Sequence, residues 1–131
     1  MRTEKVTRKT KETDITAEIN LDGRGSAEID TGIGFFDHML TAFAVHGGFD
    51  LKLRCRGDLE VDGHHSVEDI GIVLGKLFAG ALGDKKGVAR FACEYVPMDD
   101  ALARSVLDIS GRPYLVYNAG HLTGYIGTYD A

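Results

Sequence analysis

Tryptophan is absent, and the 131 residues hold only two prolines, two cysteines and 8% aromatic residues. Cys55 and Cys93 form no short pairing motif, which excludes a disulfide framework and a Cys-rich structural zinc site. So few thiols fit a reducing compartment, and a cytoplasmic location is the expectation. There is no basic excess either. Fifteen Lys and Arg stand against twenty Asp and Glu, a net charge of −5, so the dense cationic surface of a nucleic-acid binder is missing. The longest mostly apolar stretch, Ile70 to Leu82, is interrupted by Gly and Lys and is too short to span a bilayer. The first twenty residues are polar and contain no apolar core, so no signal peptide is expected. Arg2, Lys5, Arg8, Lys9 and Lys11 are read as a solvated amino-terminal tail rather than a binding arm. No P-loop or dinucleotide-binding glycine motif occurs.

What is plentiful is glycine, with 17 residues at no fixed period, which predicts many tight turns. Apolar content of 44% and charged content of 27% are those of one globular domain. Ile15, Ala17, Ile19 and Leu21 alternate with polar residues and predict a half-buried strand. Asp22 to Gly25 reads as a turn into a second strand, Ser26 to Asp30, giving a hairpin. Phe36, Met39, Leu40 and Phe43 have helical spacing, and His46-Gly47-Gly48 stops that helix. Leu51, Leu53 and Cys55 alternate again, and Leu59 with Val61 is read as the start of a return strand. Val67, Ile70, Leu74, Leu77, Phe78 and Ala81 form the stripe of a second helix, with Ser66 and Asp69 resembling a capping box. Residues 13–83 therefore read β-β-α-β-β-α, an α+β unit.

The chain then starts again. At an offset of 86 residues, five of the twelve positions from Asp14 to Gly25 recur from Asp100 to Gly111. This points to an internal duplication whose second copy holds a first hairpin at about 101–118 and little more; two unrelated strand-turn pairs are the alternative. Half-domains over 1–87 and 88–131 follow, as does the expectation that the chain is part of a longer polypeptide.

The chemistry-bearing residues are histidines and carboxylates. His38, His46, His64 and His65 lie within 28 residues. In Asp62-Gly63-His64-His65-Ser66-Val67-Glu68-Asp69, Glu68 can share a helix face with either histidine. Imidazole and carboxylate together suit a first-row divalent metal. Asp37 and Asp69 are candidate acceptors that would orient ligand rings. A polar helix terminus is an equally open reading of the same residues. Arg90 and Arg112 are candidates for an anion, although each also reads as an ordinary surface arginine. Glu12 and Asp99 pass as surface acids on pattern alone.

Several segments taken together resemble one family. They are Gly32-Ile33-Gly34-Phe35-Phe36-Asp37-His38-Met39-Leu40, the stretch Asp62 to Gly71, Gly83-Asp84-Lys85-Lys86-Gly87, Val96-Pro97-Met98-Asp99-Asp100, and Asp108 to Tyr114. In order and spacing they are similar to imidazoleglycerol-phosphate dehydratases, lyases of histidine biosynthesis. The resemblance implies a duplicated β-β-α-β-β-α fold, ribosomal protein S5 domain 2-like, incomplete in its second half. It implies dehydration of imidazole glycerol phosphate to imidazole acetol phosphate, with manganese as the metal, in a large symmetric homo-oligomer. His38, His64, His65 and Glu68 fall on metal positions, and Glu12 on the acid/base glutamate. His46 and Asp99 fall near the reacting carbon, and Arg90 and Arg112 on phosphate-contacting arginines. The family's second His-His-x-x-Glu motif, a further histidine and a substrate-binding lysine have no counterpart through Ala131, and His121 lies outside the family motifs. The alternatives are a non-catalytic fragment that folds or oligomerises without turnover, and an unrelated metallohydrolase using His-His-x-x-Glu.

Overall fold

The computed structural model describes every residue except His121 and Ala131, so the expectation for His121 lies outside the described residues. The fold is α+β, as the periodicities predict. Its contacts cluster into two compact units, Met1–Gly83 with the described residues beyond 121, and Asp84–Gly120.

The first unit contains a four-stranded sheet and two helices on one face. In chain order these are β1 (Thr3–Lys9), β2 (Thr13–Asn20), β3 (Ala27–Asp30), α1 (Gly34–Gly47), β4 (Asp50–Gly57) and α2 (His64–Leu82). Strand order is β1-β2-β4-β3. Alternation places Ile15, Ala17 and Ile19 of β2, and Leu51, Leu53 and Cys55 of β4, in the core. Ile70, Val73, Leu77 and Ala81 of α2 and Leu40 and Ala44 of α1 cover them. The three rings of Phe43, Phe49 and Phe78 meet edge-on or tilted at 5.0–5.9 Å and close one end.

Four expectations change here. The basic amino terminus is not a tail. Residues Thr3–Lys9 pair antiparallel with β2 along their whole length, and Val6 packs against the core. β2 and β3 are not a hairpin, because β4 lies between them, antiparallel to β2 and parallel to β3. The β3-α1-β4 segment is thus a parallel crossover, which a helix supplies and a tight turn cannot. Asp50 at the head of β4 fixes this arrangement by accepting the N–H groups of Arg24 (2.9 Å) and Ser26 (3.0 Å) from the loop before β3. The return strand at Leu59–Val61 does not form. Both edges of β4 are already taken, so those residues cannot return beside it; they make a turn closed by Val61 N–H to Asp58 C=O at 2.8 Å. Finally, Ser66 does not cap α2. Gly63 is the cap residue, Asp62 accepts the His64 N–H at 2.9 Å, and Ser66 is fully buried within the first turn.

In the second unit β5 (Phe91–Met98) and β6 (Ala101–Asp108) form an antiparallel hairpin. Its turn is Asp99-Asp100, with Asp99 at φ 49°. The expected hairpin at 101–118 is therefore displaced toward the amino terminus. Gly111 at φ 81° and Pro113, which has no N–H to donate, end strand geometry after β6. Every residue of β5 and β6 is exposed. A short pair, β7 (Tyr125–Ile126) and β8 (Tyr129–Asp130), belongs to the first unit, where Tyr129 packs on Phe35 and Phe36 at ring distances of 5.3 and 5.7 Å.

Candidate functional site

The carboxyl end of β4, the β1–β2 turn and the start of α2 meet at one corner of the first unit. The β1–β2 turn carries Glu12. Thr10 Oγ1 accepts the N–H groups of Glu12 (3.1 Å) and Thr13 (2.9 Å), so the turn is fixed by its own side chain. The Glu12 carbonyl accepts the N–H of Asp58 at 3.0 Å, tying this turn to the one before α2. The Glu12 carboxylate is exposed, and it acts together with Asp58 and Asp62 to stabilise the charged form of His65.

α2 begins with the two histidines. His64 Nε2 lies 3.3 Å from Glu68 Oε2, one helical turn on, so the sequence-based pairing of these two donors holds in space. The His65 ring lies beside that of His64, at a centroid distance of 5.1 Å, but has a different partner. Both oxygens of Asp58 lie near its Nδ1, at 3.0 and 3.2 Å, and this bond holds the imidazolium above its ordinary pKa.

Beneath the site, Asp69 is almost wholly buried and joins three elements. It accepts Arg8 Nη2 of β1 at 2.7 Å and Thr13 Oγ1 of β2 at 2.5 Å. The Arg8 hydrogen bond, then that of Thr13, hold its carboxyl below the usual carboxylate range. Asp69 and Asp37 are therefore not the ring-orienting acceptors expected of them. Asp37 accepts the Thr31 N–H (2.8 Å) and hydroxyl (2.6 Å) and secures the entry to α1. The acceptor that does hold a histidine ring is Asp58, which the sequence pattern does not single out. A carboxylate seven residues before the histidine, across an irregular turn, leaves no periodic signal.

A groove of about 420 Å³ opens beside the His64–Glu68 pair. Asp62, Gly63 and Val67 from the start of α2, Ile33 from the entry to α1, and Tyr125 and Tyr129 from the β7–β8 pair help line it. Ile33 would meet a Cβ at Gly63 at 3.0 Å, so both helices start at this end of the sheet. His38, on the fifth residue of α1, is at this end too and is exposed. His46 is not. It is exposed in the last turn of α1, about 12 Å along the axis from His38, next to Val45, whose backbone abuts Gly25 at the opposite end of the sheet. Asp99, Arg90 and Arg112 lie in the second unit, all exposed. Asp99 makes the β5–β6 turn, and Arg90 Nε donates to Asp108 at 2.8 Å. The Arg112 backbone N–H, not its guanidinium, bonds Ser110 Oγ at 3.2 Å.

An imidazole nitrogen beside a carboxylate oxygen suits a first-row divalent cation, and His64 with Glu68 supplies one of each, both exposed beside the groove. Among the described residues no group of three or more His, Cys, Asp or Glu donors is gathered.

Comparison with known proteins gives the family of the chain. The family model described as imidazoleglycerol-phosphate dehydratase matches residues 31–131. This chain belongs to the imidazoleglycerol-phosphate dehydratase family. Among relatives bearing that name, the one from Caldanaerobacter subterraneus is 60% identical over 130 residues, covering 99% of this chain and 67% of its own length. The one from Gluconobacter oxydans is 58% identical over 123 residues, or 94% of this chain and 62% of its own. The crystal structure of imidazoleglycerol-phosphate dehydratase from Staphylococcus aureus superposes with a TM-score of 0.84 at 41% identity, covering 98% of this chain and 70% of that one. The chain thus spans roughly two thirds of the length of these family members.

Proposed function

We propose that this chain supplies one part of a metal-dependent active site that dehydrates imidazole glycerol phosphate to imidazole acetol phosphate in histidine biosynthesis. The observation that carries the reading is the meeting of Glu12 with the His64-His65-Glu68 helix start through the Asp58 N–H to Glu12 C=O bond. Family membership supplies the reaction. Loss of water removes the hydroxyl from the carbon beside the imidazole and a proton from the neighbouring carbon. The enol so formed tautomerises to the ketone.

Each residue then has a task. Glu12 is the carboxylate that takes the carbon-bound proton, and its exposure leaves it open to a substrate. His64 and Glu68, with His38 and His65, are the manganese donors. When bound, the metal acts as a Lewis acid on the substrate imidazole. His46, Asp99, Arg90 and Arg112 keep their proposed roles near the reacting carbon and the phosphate. In the described arrangement His46 is at the far end of the sheet, which supports a site completed by self-association into a homo-oligomer. We also place the half-domain boundary near residue 87 and the protein in the cytoplasm.

A second reading has one observation in its favour. Without a three-donor group among the described residues, this segment alone would fold and hold metal weakly without turnover. One experiment separates the two. Residues 1–130 replace the matching segment of the Caldanaerobacter relative, and the chimera is assayed for imidazole acetol phosphate with manganese and with a chelator. Metal-dependent product formation supports the dehydratase reading. A folded, manganese-loaded chimera without product would overturn it.

A further inference from the structure

Asp58 has no task in the reaction as written above, yet it touches both halves of the site. Its backbone N–H binds the Glu12 turn at 3.0 Å. Its carboxylate presents both oxygens to His65 Nδ1 at 3.0 and 3.2 Å. Both side chains are largely sheltered, with 20% and 30% of their surface exposed for Asp58 and His65. Glu12, Asp62 and Asp69 are the other charged groups that act on the ring, and the His64 ring lies 5.1 Å from it; none of them makes a hydrogen bond to it among the described residues.

An ionised carboxylate only accepts hydrogen bonds. The hydrogen between the two groups therefore sits on Nδ1. A neutral imidazole carries a single N–H, so Nε2 is left with its lone pair free. We infer that Asp58 is a positioning residue that fixes His65 in the Nδ1–H tautomer and leaves Nε2 as the donor atom for a divalent cation. The inference rests on the dehydratase reading for its purpose, but its content is a property of the metal-free chain. Asp58 is well built for this. Its backbone N–H is anchored independently of its side chain, so a side-chain substitution leaves the Glu12 tether intact.

Long-range proton–nitrogen NMR on the 15N-histidine-labelled chain, without metal and at a pH where the rings are neutral, distinguishes the two tautomers. Wild type should show His65 as Nδ1–H. Asp58→Ala should convert it to the Nε2–H form common in water while the other assigned histidine signals stay in place. Manganese titrated into the same samples should broaden His65 at about tenfold higher concentration in the variant. An Nε2–H form in the wild type would overturn the inference without needing any variant. So would a tautomer unmoved by Asp58→Ala, or equal manganese sensitivity in the two proteins. Because the tautomer is read without turnover, an inactive chimera with His65 held as Nδ1–H would sink only the dehydratase reading. An active chimera with the wrong tautomer would sink only this one.

Discussion

The residues of this site do two kinds of work, and Asp69 shows the structural kind. Its carboxylate is buried between Arg8 and Thr13, so Asp69→Asn should lower stability by about 2 kcal/mol in urea denaturation at pH 7. Its folded pKa lies below the unfolded value of about 3.9. The stabilisation is thus present above pH 4 and is lost as pH falls through the folded pKa, because the unfolded chain then binds the proton more readily. Wild type and Asp69→Asn should converge in acid; a constant gap down to pH 2 would contradict the linkage. His65 runs the opposite way. Its pKa is raised by Asp58 above the ordinary 6.5. Its contribution is full below pH 6.5 and disappears as pH rises through the folded pKa. Asp58→Ala should therefore be more destabilising at pH 5.5 than at pH 9, and an equal loss at both would contradict the assignment. The sequence displayed His64, His65 and Glu68 because their spacing is helical. It did not display Asp58 or the role of Asp69, since both act across chain separations of 7, 56 and 61 residues.

Elements were legible wherever one face is buried. The alternations of β2 and β4 and the stripe of α2 survive in the structure because each buries every second, or every third to fourth, residue. β1 was obscured because its inner face carries Glu4 and Arg8 on either side of Val6, so no apolar alternation marks it, while Lys5 and Lys9 stand on its exposed face. The β2–β3 hairpin was expected because neighbours in sequence usually pair; the crossover through α1 overrode this. One glycine joins these elements closely. A Cβ on Gly57 would run into Ser66 Oγ, in a site where Ser66 has no exposed surface. Gly57→Ala should cost about 1–3 kcal/mol by overpacking, and Ser66→Ala introduced with it should recover much of that loss. Additive losses in the double variant would contradict the contact.

At the scale of the molecule, the two units differ in kind. The first buries a contiguous core, whereas β5 and β6 show exposed residues on both faces, and an isolated two-stranded hairpin is marginal in water. Native-state hydrogen exchange should give strong protection at Ile15–Ile19 and Leu51–Cys55 and nearly none over 91–108. Comparable protection in both would mean that the hairpin is held by contacts absent from this arrangement. The offset of 86 residues was visible in sequence, but the partner of β6 was not, since β5 lacks the alternation that marks β2.

The proposed dehydratase site unites Glu12 with the histidine and carboxylate donors of α2. It is tested most directly by kcat for imidazole glycerol phosphate in the Caldanaerobacter chimera, with and without Glu12→Gln, at saturating manganese. Glu12→Gln should lower kcat by about 10²–10⁴-fold with manganese content unchanged. A kcat within twofold of the unsubstituted chimera would contradict it.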